Sequence, residues 1–191
     1  MSLILNINQT LTDDTFMRIC RSNPDYQFER SKEGKLIIMD LTNSEAGNYN
    51  LEVSIEVGVW NRQNQTGKVF DSSTGFTLPN TAIKAPDVSW IRLEKWLALS
   101  VEERRKFAHI TPDFVIELRS SEDDSLKDLK AKMDEYIENG VQLGWLLDRI
   151  QGKAYVYRPN RETRIFDNFE HDVLSGEDVL EGFELKLSML L

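Results

Sequence analysis

The sequence predicts an α+β fold (α/β-like), in which a mixed central β-sheet is flanked by helices within one domain spanning residues 1–191. Strand-like segments outnumber helical ones, and they follow the order helix, strands, helix, strands, which is typical of this class. The chain of 191 residues is long enough for one sizeable core but short for two domains. A composition of 40% hydrophobic and 29% charged residues is that of an ordinary globular protein.

The first half of the chain supplies a helix, a hairpin and a second helix. Thr12 precedes two aspartates and an apolar face with Phe16, which predicts a capped helix over about 10–23. The segments "YQFER" and "GKLIIMD" flank a Lys-Glu-Gly turn, which is typical of a hairpin. Leu51, Ile55 and Val59 are apolar residues spaced four apart, and they predict a helix from about 44 to 64.

The second half contains most of the predicted strands. "KVFDSSTGFTLP" predicts two short strands or one bent strand, and "DVSWI" predicts another. A helical insertion follows, with Ser100 and Glu103 as a capping box, and then the strand "DFVIELR". A helix over about 124–139 precedes a hairpin made of "LGWLLD" and "KAYVYR", and the acidic tail, 160–191, is rich in strand signals.

Composition excludes several classes of function. A single cysteine, Cys20, excludes internal disulfides and CxxC metal sites, and two histidines are too few for a His-rich zinc site. No apolar run is long enough to span a bilayer, so no membrane partner is expected and the cytoplasm is the expected compartment. The net charge of −9 argues against strong nonspecific binding of nucleic acid.

Two Pro-Asp pairs, at Asp87 and Asp113, each lead into an apolar strand. Asp113 and Glu117 share one face of the same strand but are separated by roughly 13 Å. A hard cation holds oxygen ligands at about 2.0–2.6 Å, so these two carboxylates cannot share one ion. If "DVSWI" pairs with "DFVIELR", however, Asp87 and Glu117 face each other with Cβ atoms about 5 Å apart. Asp87 is therefore the predicted metal ligand, and Asp113 is predicted to be structural.

Two carboxylates that face each other on neighbouring strands can support magnesium-dependent phosphodiester hydrolysis. They hold Mg²⁺ with several of its waters, and the metal polarises phosphate oxygens and acidifies an attacking water. The alternative is a structural one, in which Asp87 caps a turn and Glu117 forms an ion pair with a neighbour.

The ordered set of segments resembles a known family. "YQFERSKEGKLIIM", "SSTGFTLP", "APDVSWI", "PDFVIELRS" and "KMDEYIENGVQLGWLLD…YVYRP" are similar to the bacterial "putative restriction-endonuclease" family, formerly a domain of unknown function. That family belongs to the PD-(D/E)XK nuclease-like superfamily, and the likeness covers roughly residues 15–190. It implies a restriction-endonuclease-like fold, a divalent-metal site built on Asp87 and Glu117, and often a homodimer.

The resemblance also assigns roles to further residues. The superfamily's Glu-x-Lys reads Glu117-Leu118-Arg119 here, and an arginine keeps its proton, so Arg119 is expected to bind phosphate or neutralise Glu117. Periodicity allows either Lys130 or Lys132, at the two edges of the buried face of the next helix, to reach the sheet, and the resemblance selects Lys132. It also selects Glu29 as an additional acid near the metal, with Glu52 and Glu56 as rivals.

Two functions are consistent with these features. The first is an endonuclease that uses Mg²⁺ (or Mn²⁺) to hydrolyse DNA, with Asp87, Glu117, Lys132 and Glu29 in its active site. The second is a catalytically degenerate nuclease fold that serves as a nucleic-acid-binding or protein-interaction module. Five basic residues between Arg149 and Arg164, against Glu162 alone, predict a local contact with the nucleic-acid backbone. Four tryptophans exceed what a small core needs, which indicates a surface covered by a second subunit.

Overall fold

The computed structural model describes residues 3–5, 11–39, 42–119 and 121–191. Its α-helices are α1 (Asp13–Ser22), α2 (Ser44–Asn64), α3 (Leu93–Leu97) and α4 (Leu126–Glu138), and short 3₁₀ turns cover Glu103–Arg105 and Leu187–Leu190. The side chains of Thr12, Asn43 and Ser125 cap α1, α2 and α4 by accepting backbone N–H bonds. No helix in these described ranges is long and apolar enough to cross a membrane.

Two sheets carry most of the strands. The strands are β1 (Leu3–Leu5), β2 (Gln27–Arg30), β3 (Leu36–Met39), β4 (Gly67–Asp71), β5 (Phe76–Thr77), β6 (Ile83–Lys84), β7 (Val88–Arg92), β8 (Phe114–Arg119), β9 (Leu143–Asp148), β10 (Lys153–Tyr157), β11 (Arg164–Phe166), β12 (Val173–Ser175) and β13 (Glu184–Lys186). The central sheet has the order β11-β10-β9-β8-β7-β4, and the second sheet has the order β1-β3-β2-β6-β5. Strands β12 and β13 form a separate pair.

The central sheet is mixed, as the sequence predicts. β8 and β9 run parallel, while the other neighbouring strands run antiparallel. The connection between the two parallel strands contains α4, as a parallel pair requires. The predicted α+β class with helices beside a mixed sheet is therefore confirmed.

Helices cover both faces of the central sheet, which explains the fully buried pattern of β8. On one face, Val53, Val57 and Trp60 of α2 pack in one cluster with Phe114 and Ile116 of β8. On the other face, Met133 and Tyr136 of α4 pack with Val115. Because side chains alternate along a strand, Glu117 points to the α4 side together with Val115. The fold thus directs the acid of β8 toward α4.

Three details differ from the sequence-based expectations. The segment 67–78 divides its strands between the two sheets, because β4 pairs with β7 whereas β5 pairs with β6. The apolar residues whose spacing predicted α2 are exposed, namely Leu51, Ile55 and Val59. The helix instead buries the face that carries Val53, Val57 and Trp60. The expectation that the core leaves tryptophan side chains on the surface is wrong. Trp60, Trp90 and Trp145 are buried, and Trp96 packs against Phe70.

Candidate active site

Asp87 and Glu117 come together where β7 and β8 pair. The two strands are antiparallel neighbours, and Val88 lies opposite Ile116, so Asp87, just before β7, lies beside Glu117. Asp87 Oδ2 accepts a hydrogen bond from the Leu118 N–H at 2.7 Å, which fixes this carboxylate to the partner strand. The predicted adjacency of the two strands is therefore confirmed.

Glu117 is held by two side chains of α4. Lys132 Nζ lies 2.8 Å from Glu117 Oε1, and the Tyr136 hydroxyl donates to the same oxygen at 3.0 Å. The two residues are four apart on α4, so they occupy one face of the helix. Both described contacts reach Oε1, and no side chain or backbone N–H of the described residues bonds to Oε2. One oxygen of Glu117 thus faces α4, while the other is available to a ligand.

Glu29 joins this group from the second sheet. It lies on β2, and its Oε1 is 2.9 Å from Lys132 Nζ and accepts a hydrogen bond from the Ala85 N–H at 3.1 Å. Glu29 is almost fully buried, with 2% of its surface exposed. The structure therefore brings together all four residues that the sequence selected as catalytic candidates, with Lys132 as the shared contact of Glu29 and Glu117.

A second ammonium group, which sequence analysis missed, also lies at the site. Lys84 Nζ is 3.3 Å from Glu29 Oε2 and 3.3 Å from Glu135 Oε2, and Asn80 donates to the other oxygen of Glu135. Lys84 stands on the two-residue strand β6, which has no periodicity that could mark a buried cation. The one feature of the sequence that places Lys84 near the site is its position three residues before Asp87.

The cluster contains more negative than positive groups. Four carboxylates (Glu29, Asp87, Glu117 and Glu135) face the two ammonium groups of Lys84 and Lys132, which leaves two negative charges uncompensated when all are ionised. A divalent cation would match this residual charge.

The pKa values reflect this imbalance. Burial raises the pKa of Glu117 to about 7, with Lys132 opposing the rise and Asp87 and Glu29 adding to it. Burial likewise raises the pKa of Asp87. Burial also disfavours the charged form of Glu29, but Lys132 and Lys84 outweigh it and hold its pKa below the ordinary value. For Lys132, the Glu117 and Glu29 carboxylates overcome burial and raise its pKa, so it remains an ammonium ion.

The donor set fits a magnesium ion that keeps part of its water shell. No group of three or more His, Cys, Asp or Glu side chains forms a metal cage in the described part of the chain. Mg²⁺ is commonly bound by only one or two carboxylates, however, and it retains several waters. Asn50 donates to Asp87 Oδ1 at 3.2 Å, and its own buried Oδ1 has no hydrogen-bond partner among the described residues, so it is an acceptor suited to a metal-bound water. Asp87 and Glu117 are thus the two carboxylates that would hold such an ion.

Arg119 lies at the end of β8 but points to a different partner. Its guanidinium contacts both oxygens of Asp148 at 3.2 Å through Nη1, and its Nε donates to the Asp124 carbonyl at 2.9 Å. Asp148 is opposite Arg119 in the register of β8 and β9, and it is fully buried. Arg119 therefore neutralises Asp148 and makes no described contact with Glu117.

The remaining candidates lie outside the cluster. Asp113 accepts the Arg92 N–H at 2.8 Å and pairs with Lys95, as expected of a structural residue. The Lys130 ammonium lies 4.2 Å from the ring centre of Tyr155, so this lysine does not join the carboxylates. Glu52 and Glu56, the rivals of Glu29, are both exposed on α2.

Comparisons with known proteins agree with this architecture. A crystal structure of a "putative nuclease belonging to DUF820" from Anabaena variabilis ATCC 29413 has a TM-score of 0.77 and 22% sequence identity, and the match covers 94% of this chain and 97% of that one. At this identity the likeness shows the fold. No curated protein matches the sequence. The sequence profile of the Uma2 family, described as "Putative restriction endonuclease", matches residues 13–188. The chain therefore belongs to the Uma2 family.

Proposed function

We propose that this protein is a Mg²⁺-dependent endonuclease that hydrolyses phosphodiester bonds in DNA. The observation that carries the proposal is the meeting of Asp87 and Glu117 on neighbouring strands, with the Lys132 ammonium 2.8 Å from Glu117. Membership in a family described as "Putative restriction endonuclease" supports a nuclease. DNA as the substrate and Mg²⁺ or Mn²⁺ as the metal are our extension.

Asp87 and Glu117 are the residues that would hold the metal. Such an ion supplies Lewis-acid polarisation of the phosphate and acidifies a bound water. Contacts within the chain fix the direction of both carboxylates, because Leu118 and Asn50 orient Asp87 while Tyr136 orients Glu117.

Lys132 is the chain's own electrostatic contribution to the reaction. Its raised pKa keeps it protonated, so it acts as a hydrogen-bond donor and a positive charge and not as a base. In this role it orients a water for attack on phosphorus and stabilises the negative charge that develops on the phosphate oxygens. Glu29, 2.9 Å from the same nitrogen, fixes the direction of the ammonium.

Substrate contact would use the cations at the same end of the central sheet. Arg119 has bonds through Nε and Nη1 to protein groups, and we assign its Nη2 to a substrate phosphate. Lys153 lies opposite Asp148 in the β9–β10 register, which places it at that end too. In the basic stretch 149–164, Arg149 binds the Leu190 carbonyl and Arg158 binds Glu177, so these two are engaged within the protein.

A second candidate function is that of a catalytically inactive module for binding nucleic acid or protein. Two observations favour it: Arg119 occupies the sequence position of the superfamily's lysine yet pairs with Asp148, and Lys132 already contacts two of the carboxylates. A module of this kind would bind DNA without cleaving it, whatever metal is added.

A nicking assay on supercoiled plasmid distinguishes the two functions. We expect the wild type to convert the plasmid to open-circular and linear forms with Mg²⁺ or Mn²⁺, and to lose this activity with a chelator. Glu117→Gln should abolish cleavage, whereas Lys130→Met, a change on α4 outside the carboxylate cluster, should retain it. Equal cleavage by wild type and Glu117→Gln would place the site elsewhere, and binding without cleavage would favour the module.

We further propose that the chain forms one domain, associates as a homodimer and acts in the cytoplasm. The exposed apolar stripe of Leu51, Ile55 and Val59 on α2 supports association. The free Cys20 is compatible with a reducing compartment. A single calorimetric unfolding transition and a dimeric mass by light scattering test the first two proposals, and fractionation of the source cells tests the third.

A further inference from the structure

Lys84 is a buried lysine whose only described ion pairs are with two carboxylates at the site. It has 7% of its surface exposed, and its ammonium bridges Glu29 and Glu135 at 3.3 Å each. Burying an ammonium ion is costly unless acidic partners compensate for lost hydration. A hydrophobic residue would fill this position on β6 at lower cost, so the charge itself requires an explanation.

The hydrogen bonds of Glu29 supply the explanation. Its Oε1 accepts from Lys132 and from the Ala85 N–H, and its Oε2 faces Lys84. Each oxygen of Glu29 therefore faces an ammonium group, whereas the oxygens of Asp87 accept only neutral N–H donors among the described residues, and no described donor bonds to Oε2 of Glu117. Because neighbouring cations repel a metal ion, Glu29 is poorly placed to bind a metal but well placed to link two ammonium groups.

These contacts give the two lysines different roles: Lys84 compensates the charge of Glu29, and Lys132 links Glu29 to Glu117. With Lys84 present, Glu29 is compensated at both oxygens, and Lys132 can be shared with Glu117 at 2.8 Å. Without Lys84, Lys132 would be the sole ammonium partner of Glu29, and the stronger attraction would draw it away from Glu117. Glu135 holds Lys84 from the opposite side, one helical turn from Lys132 on α4.

We propose that Lys84 and Glu135 are positioning residues of the nuclease site, which hold Glu29 so that Glu29 can aim the Lys132 ammonium at the reacting phosphate. This inference rests on the proposed function and extends it to residues that do not touch the metal or the substrate. The chain Glu135–Lys84–Glu29–Lys132 would then act as one unit.

The first test is spectroscopic and needs no activity. Buried lysine ammonium groups give separate signals in ¹H–¹⁵N spectra, and the Lys132 signal is identified by its loss in Lys132→Met. In the metal-free full-length protein, we expect Lys84→Met to shift that signal and Lys130→Met to leave it in place. Glu135→Gln, which removes the charge but keeps the size of the side chain, should also shift it, so the test survives if Lys84→Met fails to fold.

The second test is kinetic. Lys84→Met should lower kcat by about 10- to 100-fold, as loss of a supporting contact does at such sites, with KM and Mn²⁺ affinity little changed. Lys84→Arg should restore part of the activity. In a Lys132→Met background, Lys84→Met should cause no further loss, because its effect passes through Lys132.

Several outcomes overturn the inference. The inference is contradicted if the Lys132 ammonium signal keeps its wild-type position in both Lys84→Met and Glu135→Gln. It is also contradicted if the losses of activity caused by Lys84→Met and Lys132→Met add up in the double variant. A fall in Mn²⁺ affinity as large as that of Asp87→Asn would mean that Lys84 supports the metal ligands instead. If the wild type cleaves no DNA, the proposed function fails, while the spectroscopic test still decides whether Lys84 positions Lys132.

Discussion

Replacing Glu117 with glutamine should stabilise the metal-free protein at about pH 8, even though it removes a proposed metal ligand. Glu117 is 3% exposed, and burial raises its pKa to about 7. In the unfolded chain the same carboxyl has its ordinary pKa, near 4.5. Ionised Glu117 therefore costs the folded state about 3 kcal/mol, since each pKa unit corresponds to about 1.4 kcal/mol.

The sign of the pH dependence follows from the direction of the shift. Between about pH 4.5 and pH 7 the folded protein holds a proton that the unfolded chain has released, so this carboxyl lowers stability as the pH rises. Below that window both states are protonated, and glutamine should resemble the neutral acid. The advantage of Glu117→Gln should thus grow from near zero at the acid end to about 3 kcal/mol above pH 7.

Guanidinium unfolding in the presence of a chelator, at a series of pH values from 5 to 8, measures this difference. Glu52→Gln, a matched change at an exposed position of α2, should alter stability by less than about 0.5 kcal/mol at every pH. The reasoning is refuted if Glu117→Gln is no more stable than the wild type at the alkaline end. A difference that does not vary with pH would also refute it, because packing and not ionisation would then be the cause.

Three further predictions concern residues outside the carboxylate cluster. Asp113→Ala should destabilise the protein by about 1–3 kcal/mol, because the Arg92 N–H loses its acceptor, while calorimetric Mn²⁺ affinity stays at the wild-type value; a large loss of affinity would contradict the structural role. Arg119→Met leaves Asp148 buried without its guanidinium partner and should cost about 3–5 kcal/mol in chemical denaturation, so an unchanged midpoint would show that the pair contributes nothing. Ile55→Glu should convert the proposed homodimer to a monomer in light scattering, and a wild type that is monomeric at all concentrations would refute the dimer.

The pairing of Asp87 with Glu117 could be predicted from sequence because it depends on local signals. Two Pro-Asp pairs, each followed by an apolar run, mark two strands, and alternation along a strand assigns Glu117 to a face. Helical periodicity likewise assigns Met133 and Tyr136 to the buried face of α4, and both are buried. The choice of Lys132 over Lys130 came from the family resemblance, since both lie at edges of that face.

Other features depend on contacts between distant segments, and local patterns do not encode them. Lys84 reaches Glu29 and Glu135 only because the second sheet packs beside α4. The apolar stripe of α2 predicted the helix, but Val57 lies on the face that the sheet covers and Ile55 does not. Likewise, nothing near Arg119 in the sequence shows that Asp148, on the next strand of the sheet, becomes its partner.

A calorimetric titration of Mn²⁺ into the wild type and into Asp87→Asn tests most directly whether Asp87 and Glu117 form a metal site. At about pH 8, above the pKa of Glu117, we predict saturable binding to the wild type and an affinity at least about tenfold weaker in Asp87→Asn. A wild type that binds no divalent cation at millimolar concentration would contradict this account, and so would an Asp87→Asn variant that binds Mn²⁺ as tightly as the wild type.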